Sequence, residues 1–138
     1  MKVISLIAEI RGRADSFIVS RMKSLGMEGL VTSHGNILGL LYLKGPCRMA
    51  DIARQINRKK NTVTTLINKL VKHGYVKIIP DDNDNRVKIV ELTRKSLEMK
   101  EDFFGLSEEL IELTFKDFDE DSRNEIMQYL NKMKINLS

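Results

Sequence analysis

The stretch RKKNTVTTLINKLVKHG, residues 58–74, constrains the fold of this chain more than any other. Its apolar residues recur at the spacing of one buried helical stripe: Val63, Leu66, Ile67, Leu70 and Val71. The opposite face carries threonine, asparagine and lysine, although threonine and asparagine compete for local backbone hydrogen bonds and weaken a helix. Glutamate, glutamine and alanine would serve a merely solvated face better. The pattern therefore predicts a helix whose polar face contacts another molecule.

Two helices are predicted just before this one. The first is capped by Thr32 or Ser33 and ends at a Gly-Pro dipeptide, residues 45–46. The second is the short stretch MADIARQI, which is followed by a turn. Asn61 or Thr62 then caps the helix of the opening stretch. A short helix, a turn and a polar-faced helix form a helix-turn-helix.

Beyond Gly74, which is placed to end the helix, the apolar period becomes that of a strand. The runs YVKIIP and RVKIVELT alternate apolar residues with lysine, Val76 and Ile78 around Lys77, and Val87 and Ile89 around Lys88. Between them lies DDNDN, which is rich in turn formers. These features predict a β-hairpin, and a hairpin after a helix-turn-helix is the wing of a DNA-binding winged helix.

The charge of the chain is segregated along the sequence. The net charge is +4 over 138 residues, yet residues 44–95 hold 13 Lys and Arg against 5 Asp and Glu. Residues 96–138 hold 5 Lys and Arg against 11 Asp and Glu. A basic segment of this kind favours a surface that faces a polyanion. The alternative is chance clustering of charge on solvated faces.

Specific contacts to DNA follow from these patterns, with an ordinary solvated or capping role as the alternative for each residue. Base edges in the major groove match short polar side chains, which predicts a recognition surface in the polar-faced helix: Lys60, Asn61, Thr62, Thr64, Thr65, Asn68 and Lys69. The basic residues Arg58, Lys59 and Lys72 are predicted to contact phosphates. Arg86 in the wing is predicted to enter the minor groove, with Asp84 orienting its guanidinium through a bidentate pair.

Three segments carry a family resemblance: GNILGLLYLKG, MADIARQINRKKNTVTTLINKLVKHGYV and DDNDNRVKIVELT. In this order and at these spacings they resemble the MarR family of bacterial winged helix-turn-helix transcription regulators, over about residues 30–95. The resemblance rests on Asp51-Ile52-Ala53, on Thr62-Val63-Thr64, on the run from Lys69 to Val76, and on Asp84-x-Arg86 followed by Leu92-Thr93. It implies a mainly α fold with a small β-hairpin wing, of the α+β class.

The resemblance also implies an assembly and a mode of regulation. MarR-like proteins are homodimers, so residues 1–30 and 96–138 would form a helical dimerisation region around a DNA-binding domain at residues 31–95. From the residues alone, the many large apolar side chains of the terminal segments favour completion of the monomer's own core. The resemblance further implies a regulator, commonly a repressor, that binds double-stranded DNA at a pseudo-palindromic operator near its own gene. A small, often aromatic, effector would release the DNA.

The sequence departs from the family pattern at three places. Arg48 stands where serine or threonine usually caps the short helix, so this helix start is expected to fray or to face phosphate. The wing is acidic where many relatives are basic, which increases the expected dependence on Arg86. Cys47 lies outside the N-terminal region that holds the family's redox cysteines, so a redox role does not carry over.

Other classes of protein find little support in the sequence. We find no phosphate-binding glycine loop and no nucleophile with a nearby histidine, so we expect no enzyme and no catalytic residues. His34, His73 and Cys47 fit no zinc spacing, so no metal or cofactor is expected. The apolar runs are too short for a membrane span, and a single cysteine suits a cytoplasmic protein. The competing function is a winged-helix protein-interaction module without specific DNA binding.

Overall fold

The computed structural model describes residues 2–138 and contains seven helices and three short strands within them. The helices are α1 (Val3–Ser24), α2 (Thr32–Lys44), α3 (Met49–Gln55), α4 (Lys60–Lys72), α5 (Arg94–Glu98), α6 (Lys100–Thr114) and α7 (Glu120–Asn136). The strands are β1 (Cys47–Arg48), β2 (Val76–Pro80) and β3 (Lys88–Leu92). The predicted class, mainly α with a small β wing, is confirmed.

The wing is part of a three-stranded antiparallel sheet rather than a hairpin alone, because β1 pairs with β3 in the order β1-β3-β2. Ile78 lies opposite Val90, and Ile79 lies opposite Ile89. Val90 is fully buried while Ile89 is only half-buried. The alternation of Val87 and Ile89 with Lys88 therefore does not mark the inward face of β3, which carries Val90. A shift of one residue exchanges the two faces of a strand.

One hydrophobic core unites the winged lobe. Ile37, Leu38 and Leu41 of α2 pack with Ile52 of α3 and with the apolar stripe of α4. Val63, Ile67 and Leu70 of that stripe are at most 1% exposed. Of the other two residues predicted for the stripe, Leu66 is half-buried but Val71 is 40% exposed. The buried residues hold α4 by one face and leave its polar face outside.

The helix ends show where local sequence signals succeed. Gly74 has φ +79°, and the N–H of Tyr75 donates to the Leu70 carbonyl at 2.9 Å, so α4 ends in a Schellman motif. Asp119 caps α7 by accepting from the Ser122 N–H at 2.7 Å. Both ends are confirmed.

The predicted N-caps of α2 and α4 were wrong. Val31 is the N-cap of α2, and its N–H donates to Nδ1 of His34 at 2.9 Å, so a histidine reaches back as glutamate does in a capping box. Thr32 consequently lies inside the helix. Lys59 is the N-cap of α4 and makes no side-chain capping bond, so Asn61 is already helical.

The terminal helices are only partly covered by the rest of the chain. α1 packs on α6, where Arg21 donates to Glu109 at 2.8 Å and Phe103 is buried. No residue of α7 is buried, and its exposed apolar residues include Leu130 and Tyr129. Among the described helices, none combines the length and the apolar character that a bilayer span needs.

Candidate nucleic-acid interface

Four side chains define the outward face of α4. Asn61, Thr65, Asn68 and Lys72 follow one another at steps of four, three and four residues, and all four are exposed. This spacing keeps them on one side of the helix, opposite the buried stripe. The hydroxyl of Thr65 donates to the Asn61 carbonyl at 3.1 Å, and its oxygen retains acceptor capacity. The face offers amide, hydroxyl and ammonium groups to a groove.

The other residues predicted in this helix to contact DNA lie on the two flanks of α4. Thr64 is half-buried on the side nearest the wing, where its hydroxyl donates to the Lys60 carbonyl at 3.0 Å. Thr62 is exposed on the opposite flank, together with Lys69. The Lys69 ammonium donates to the Gly29 carbonyl at 2.5 Å, which ties α4 to the loop between α1 and α2. Lys69 is thus engaged within the chain.

The basic residues ahead of α4 are exposed. Lys59 and Lys60 lie at the helix start. A guanidinium nitrogen of Arg58 lies 3.5 Å from the hydroxyl oxygen of Ser33, which places this cation beside the start of α2. Such cations can bind phosphate oxygens.

The wing tip carries an arginine that is hydrogen-bonded to a nearby carboxylate. The Arg86 side chain is 91% exposed and its Nε donates to Asp84 at 3.1 Å, while the Arg86 N–H donates to the same carboxylate at 3.0 Å. These hydrogen bonds lower the pKa of Asp84, so the carboxylate stays ionised near neutral pH. The two residues are brought together as the sequence predicted, and the guanidinium points to solvent on a fixed turn.

Arg48 reaches the wing from the start of α3. It is the N-cap residue of α3 but makes no side-chain capping bond, and its Nη2 lies 3.3 Å from Asp81 Oδ2. The sequence predicted fraying or a phosphate contact here but not the ion pair. Only the missing cap residue signalled that Arg48 has another role.

An apolar pocket of about 540 Å³ lies between α1, α2, α3 and α6. Its wall includes Met22, Leu40, Phe103 and Phe104. Thr32 also lines it, and the buried Thr32 hydroxyl has no hydrogen-bond partner within the described residues. A pocket of this size with a few polar groups suits a small ligand.

The histidines and the cysteine do not converge. Within residues 2–138, no three His, Cys, Asp or Glu side chains are placed to hold a metal ion. Cys47 is half-buried, its thiol donates to the Gly45 carbonyl at 3.3 Å, and burial raises its pKa. A raised pKa disfavours the reactive thiolate.

The winged lobe is similar to known transcription regulators. Residues 30–88 match the profile of the MarR family. The chain is similar to the transcriptional activatory protein BadR of Rhodopseudomonas palustris, with 28% identity over 75 residues, which are 52% of this chain and 43% of BadR. It is also similar to YcgE, an HTH-type transcriptional regulator of Bacillus subtilis, with 32% identity over 67% of this chain and 60% of YcgE. The match thus spans about half the length of these two relatives.

Solved structures share the fold along nearly the whole chain. A MarR transcriptional regulator from Methanosarcina mazei has a TM-score of 0.83 and 25% identity, covering 97% of this chain and 94% of its own. A mutant MarR from Escherichia coli complexed with operator DNA has a TM-score of 0.84 at 18% identity, covering 96% and 94%. BpsR of Bordetella bronchiseptica, whose DNA binding is regulated by 6-hydroxynicotinic acid, has a TM-score of 0.81 at 21% identity, covering 96% and 92%.

The domain match and the shared fold agree with the residues from which the resemblance was drawn. Residues 30–88 match the MarR family, and the chain has the fold of solved MarR transcriptional regulators along almost its whole length.

Proposed function

We propose that this protein is a sequence-specific DNA-binding transcription regulator that acts as a homodimer in the cytoplasm. α4 enters the major groove, and the wing places Arg86 in the flanking minor groove. The observation that carries the proposal is the exposed polar face of α4, formed by Asn61, Thr65, Asn68 and Lys72, on the same lobe as an arginine fixed at the wing tip.

The proposed contacts to DNA fall into two classes, according to the chemical groups that the side chains offer. Asn61, Thr65 and Asn68 offer hydrogen-bonding groups suited to base edges, with Thr62 and Thr64 on the flanks. Arg58, Lys59, Lys60 and Lys72 supply positive charge to phosphates. Lys69, which is held by the Gly29 carbonyl, acts chiefly by fixing the position of α4.

The proposed dimer forms when a second copy of the chain packs against the terminal helices. Ile126, Leu130, Met133 and Leu137 recur along one side of α7, and none of them is buried by the rest of the chain. An isologous two-fold contact through α1, α6 and α7 would bury this stripe. Two lobes related by a two-fold axis would read half-sites about one helical turn apart, roughly 34 Å.

Repression with release by a small effector is the regulatory mode we propose. The apolar pocket at Phe103 and Phe104 contacts both α2 and α6 and is large enough for a small aromatic molecule. The structural neighbour BpsR responds to a small aromatic acid. BadR is an activator, so a reporter assay with and without this protein decides between repression and activation.

The direct test is a comparison of two duplexes of equal length. One carries the DNA upstream of the protein's own gene and the other is scrambled. A specific regulator is expected to prefer the upstream duplex by about a thousandfold or more. Equal affinities would reject this operator, and no binding to either would favour the protein-interaction module.

A further inference from the structure

A cleft with an excess of positive charge separates α4 from the wing. It has a volume of about 470 Å³, and we call it the basic cleft. Its lining residues come from the start of α3, the start of α4 and the wing: Arg48, Met49, Ala50, Lys60, Thr64, Arg86, Val87 and Lys88. Four of these eight residues are cations and none is acidic. Met49, Ala50 and Val87 add apolar surface that does not compete for an anion.

The nearby aspartates position the arginines without closing the cleft. The Asp81 side chain is only 13% exposed, whereas that of its partner Arg48 is 56% exposed. A guanidinium has five N–H donors, so an arginine held by one carboxylate oxygen can still bind a second anion. Lys60 and Lys88 form no ion pair within residues 2–138. The cleft therefore keeps positive charge beside an acidic wing tip.

The geometry of a bound duplex defines what must occupy this cleft. If α4 lies in the major groove and the wing in the adjacent minor groove, the sugar-phosphate strand between the two grooves must pass between α4 and the wing. We infer that the basic cleft seats a phosphodiester of that strand, that Arg48, Lys60 and Lys88 contact it, and that Asp81 positions Arg48. This inference rests on the proposed function.

Arg48 also resolves the difficulty of an acidic wing. Asp81, Asp82 and Asp84 would repel a phosphate from the wing. Arg48 offsets Asp81 from the side of the helix-turn-helix, just as Arg86 offsets Asp84 within the wing. A residue that replaces a capping serine or threonine thus acquires a role in DNA binding.

The test measures the salt dependence of DNA affinity in single-charge variants of the full-length protein. Arg48→Gln and Lys88→Gln are compared with Lys100→Gln, which removes an exposed cation on α6 that lies outside the cleft. Each cleft variant is expected to reduce the slope of log K against log salt by about 0.9 for each protomer on the DNA. The preference for the upstream duplex should stay unchanged, because phosphate contacts carry no sequence information.

Asp81→Asn separates a phosphate contact from a purely structural role of Arg48. If Arg48 binds phosphate, Arg48→Gln lowers the salt slope, whereas Asp81→Asn keeps all the cations and leaves the slope at least as steep as in the wild type. If Arg48 only holds the wing, both variants lower affinity and neither lowers the salt slope, and the inference is overturned.

Two other results would also overturn it. Slopes for Arg48→Gln and Lys88→Gln equal to that of Lys100→Gln would reject the cleft while leaving DNA binding by the wild type intact. Absence of salt-dependent binding by the wild type would reject the inference and the proposed function together.

Discussion

At the residue scale, the proposed contact with DNA depends most on Arg86. Its guanidinium is 91% exposed, yet Asp84 holds it through both side chain and backbone. An arginine fixed in this way loses little side-chain freedom on binding.

We expect Arg86→Ala to weaken DNA binding by about 1–3 kcal/mol, measured by fluorescence anisotropy on the upstream duplex. The circular dichroism spectrum and the dimer should be unchanged, because the side chain makes no contact with the core. Asn85→Ala, at the exposed neighbouring position, serves as the control. Affinity equal to that of the control would remove the wing from the mechanism.

His34 is a buried titratable residue at the start of α2. It is 4% exposed, Nδ1 accepts the Val31 N–H, and Nε2 has no hydrogen-bond partner within the described residues. Burial lowers its pKa below the ordinary 6.5, and the nearby Lys69 and His73 lower it further. The neutral imidazole is therefore the form that the fold stabilises.

This predicts a loss of stability in mild acid. Because the folded pKa lies below that of the unfolded chain, the unfolded state binds more protons as the pH falls below about 6.5. The stability that the neutral imidazole provides is complete above this pH and declines as the pH approaches the folded pKa. His34→Gln keeps an acceptor for Val31 but has no proton to gain, so its Tm should fall less between pH 7.5 and 5.5. An equal fall in Tm for His34→Gln and for the wild type would contradict the assignment.

At the scale of elements, we expect one face of α4 to carry both base-reading residues and phosphate-binding residues. Asn68 lies at the middle of that face and Lys72 lies at the end of the helix. An amide can make a bidentate contact to adenine, whereas an ammonium is a point charge for phosphate.

We expect Asn68→Ala to reduce the preference for the upstream duplex by about 1–3 kcal/mol, with a smaller effect on the scrambled duplex. Lys72→Gln is the matched variant on the same face, and it should weaken binding to both duplexes alike. Parallel titrations of the two variants on both duplexes make the comparison. A uniform loss for Asn68→Ala would reassign that residue to the DNA backbone.

The helices and strands also show which structural features could be predicted from the local sequence. The stripe of α4, the glycine at its end and the cap at Asp119 were predictable, because spacing, φ > 0 and a capping carboxylate are local properties. The inward face of β3 could not be predicted, because Val87, Ile89 and Val90 are all apolar and only pairing with β2 fixes the register. The His34 cap was missed because histidine is not a usual capping residue.

At the scale of the whole molecule, contacts between residues far apart in the sequence could not be predicted from sequence patterns. The Lys69–Gly29 and Arg48–Asp81 contacts join residues 40 and 33 positions apart. The partner of a lysine or an arginine cannot be read from the sequence, because these long side chains can reach several groups. The candidate site was therefore predictable as a set of residues, while the division into the outward face of α4, a structural lysine and a basic cleft required the fold.

The exposed apolar stripe of α7 predicts that the proposed dimer depends on this helix. Leu130→Asp places a charge in the stripe and should shift sedimentation equilibrium towards monomer, since an unpaired charge is costly to bury. The monomer's fold should persist, because no residue of α7 belongs to its core. Gln128→Asp, on the opposite side of α7, is the control and should remain dimeric. A dimer of unchanged affinity in Leu130→Asp would exclude this face from the interface.

The most direct test of the account is the salt dependence of wild-type binding to the upstream duplex. If a protein neutralises about six phosphates, log K falls against log salt with a slope near −5. We expect a slope of this size, because α4, the wing and the basic cleft would all present cations to the DNA backbone. A slope close to zero would contradict it and would identify the winged lobe as a surface for another protein.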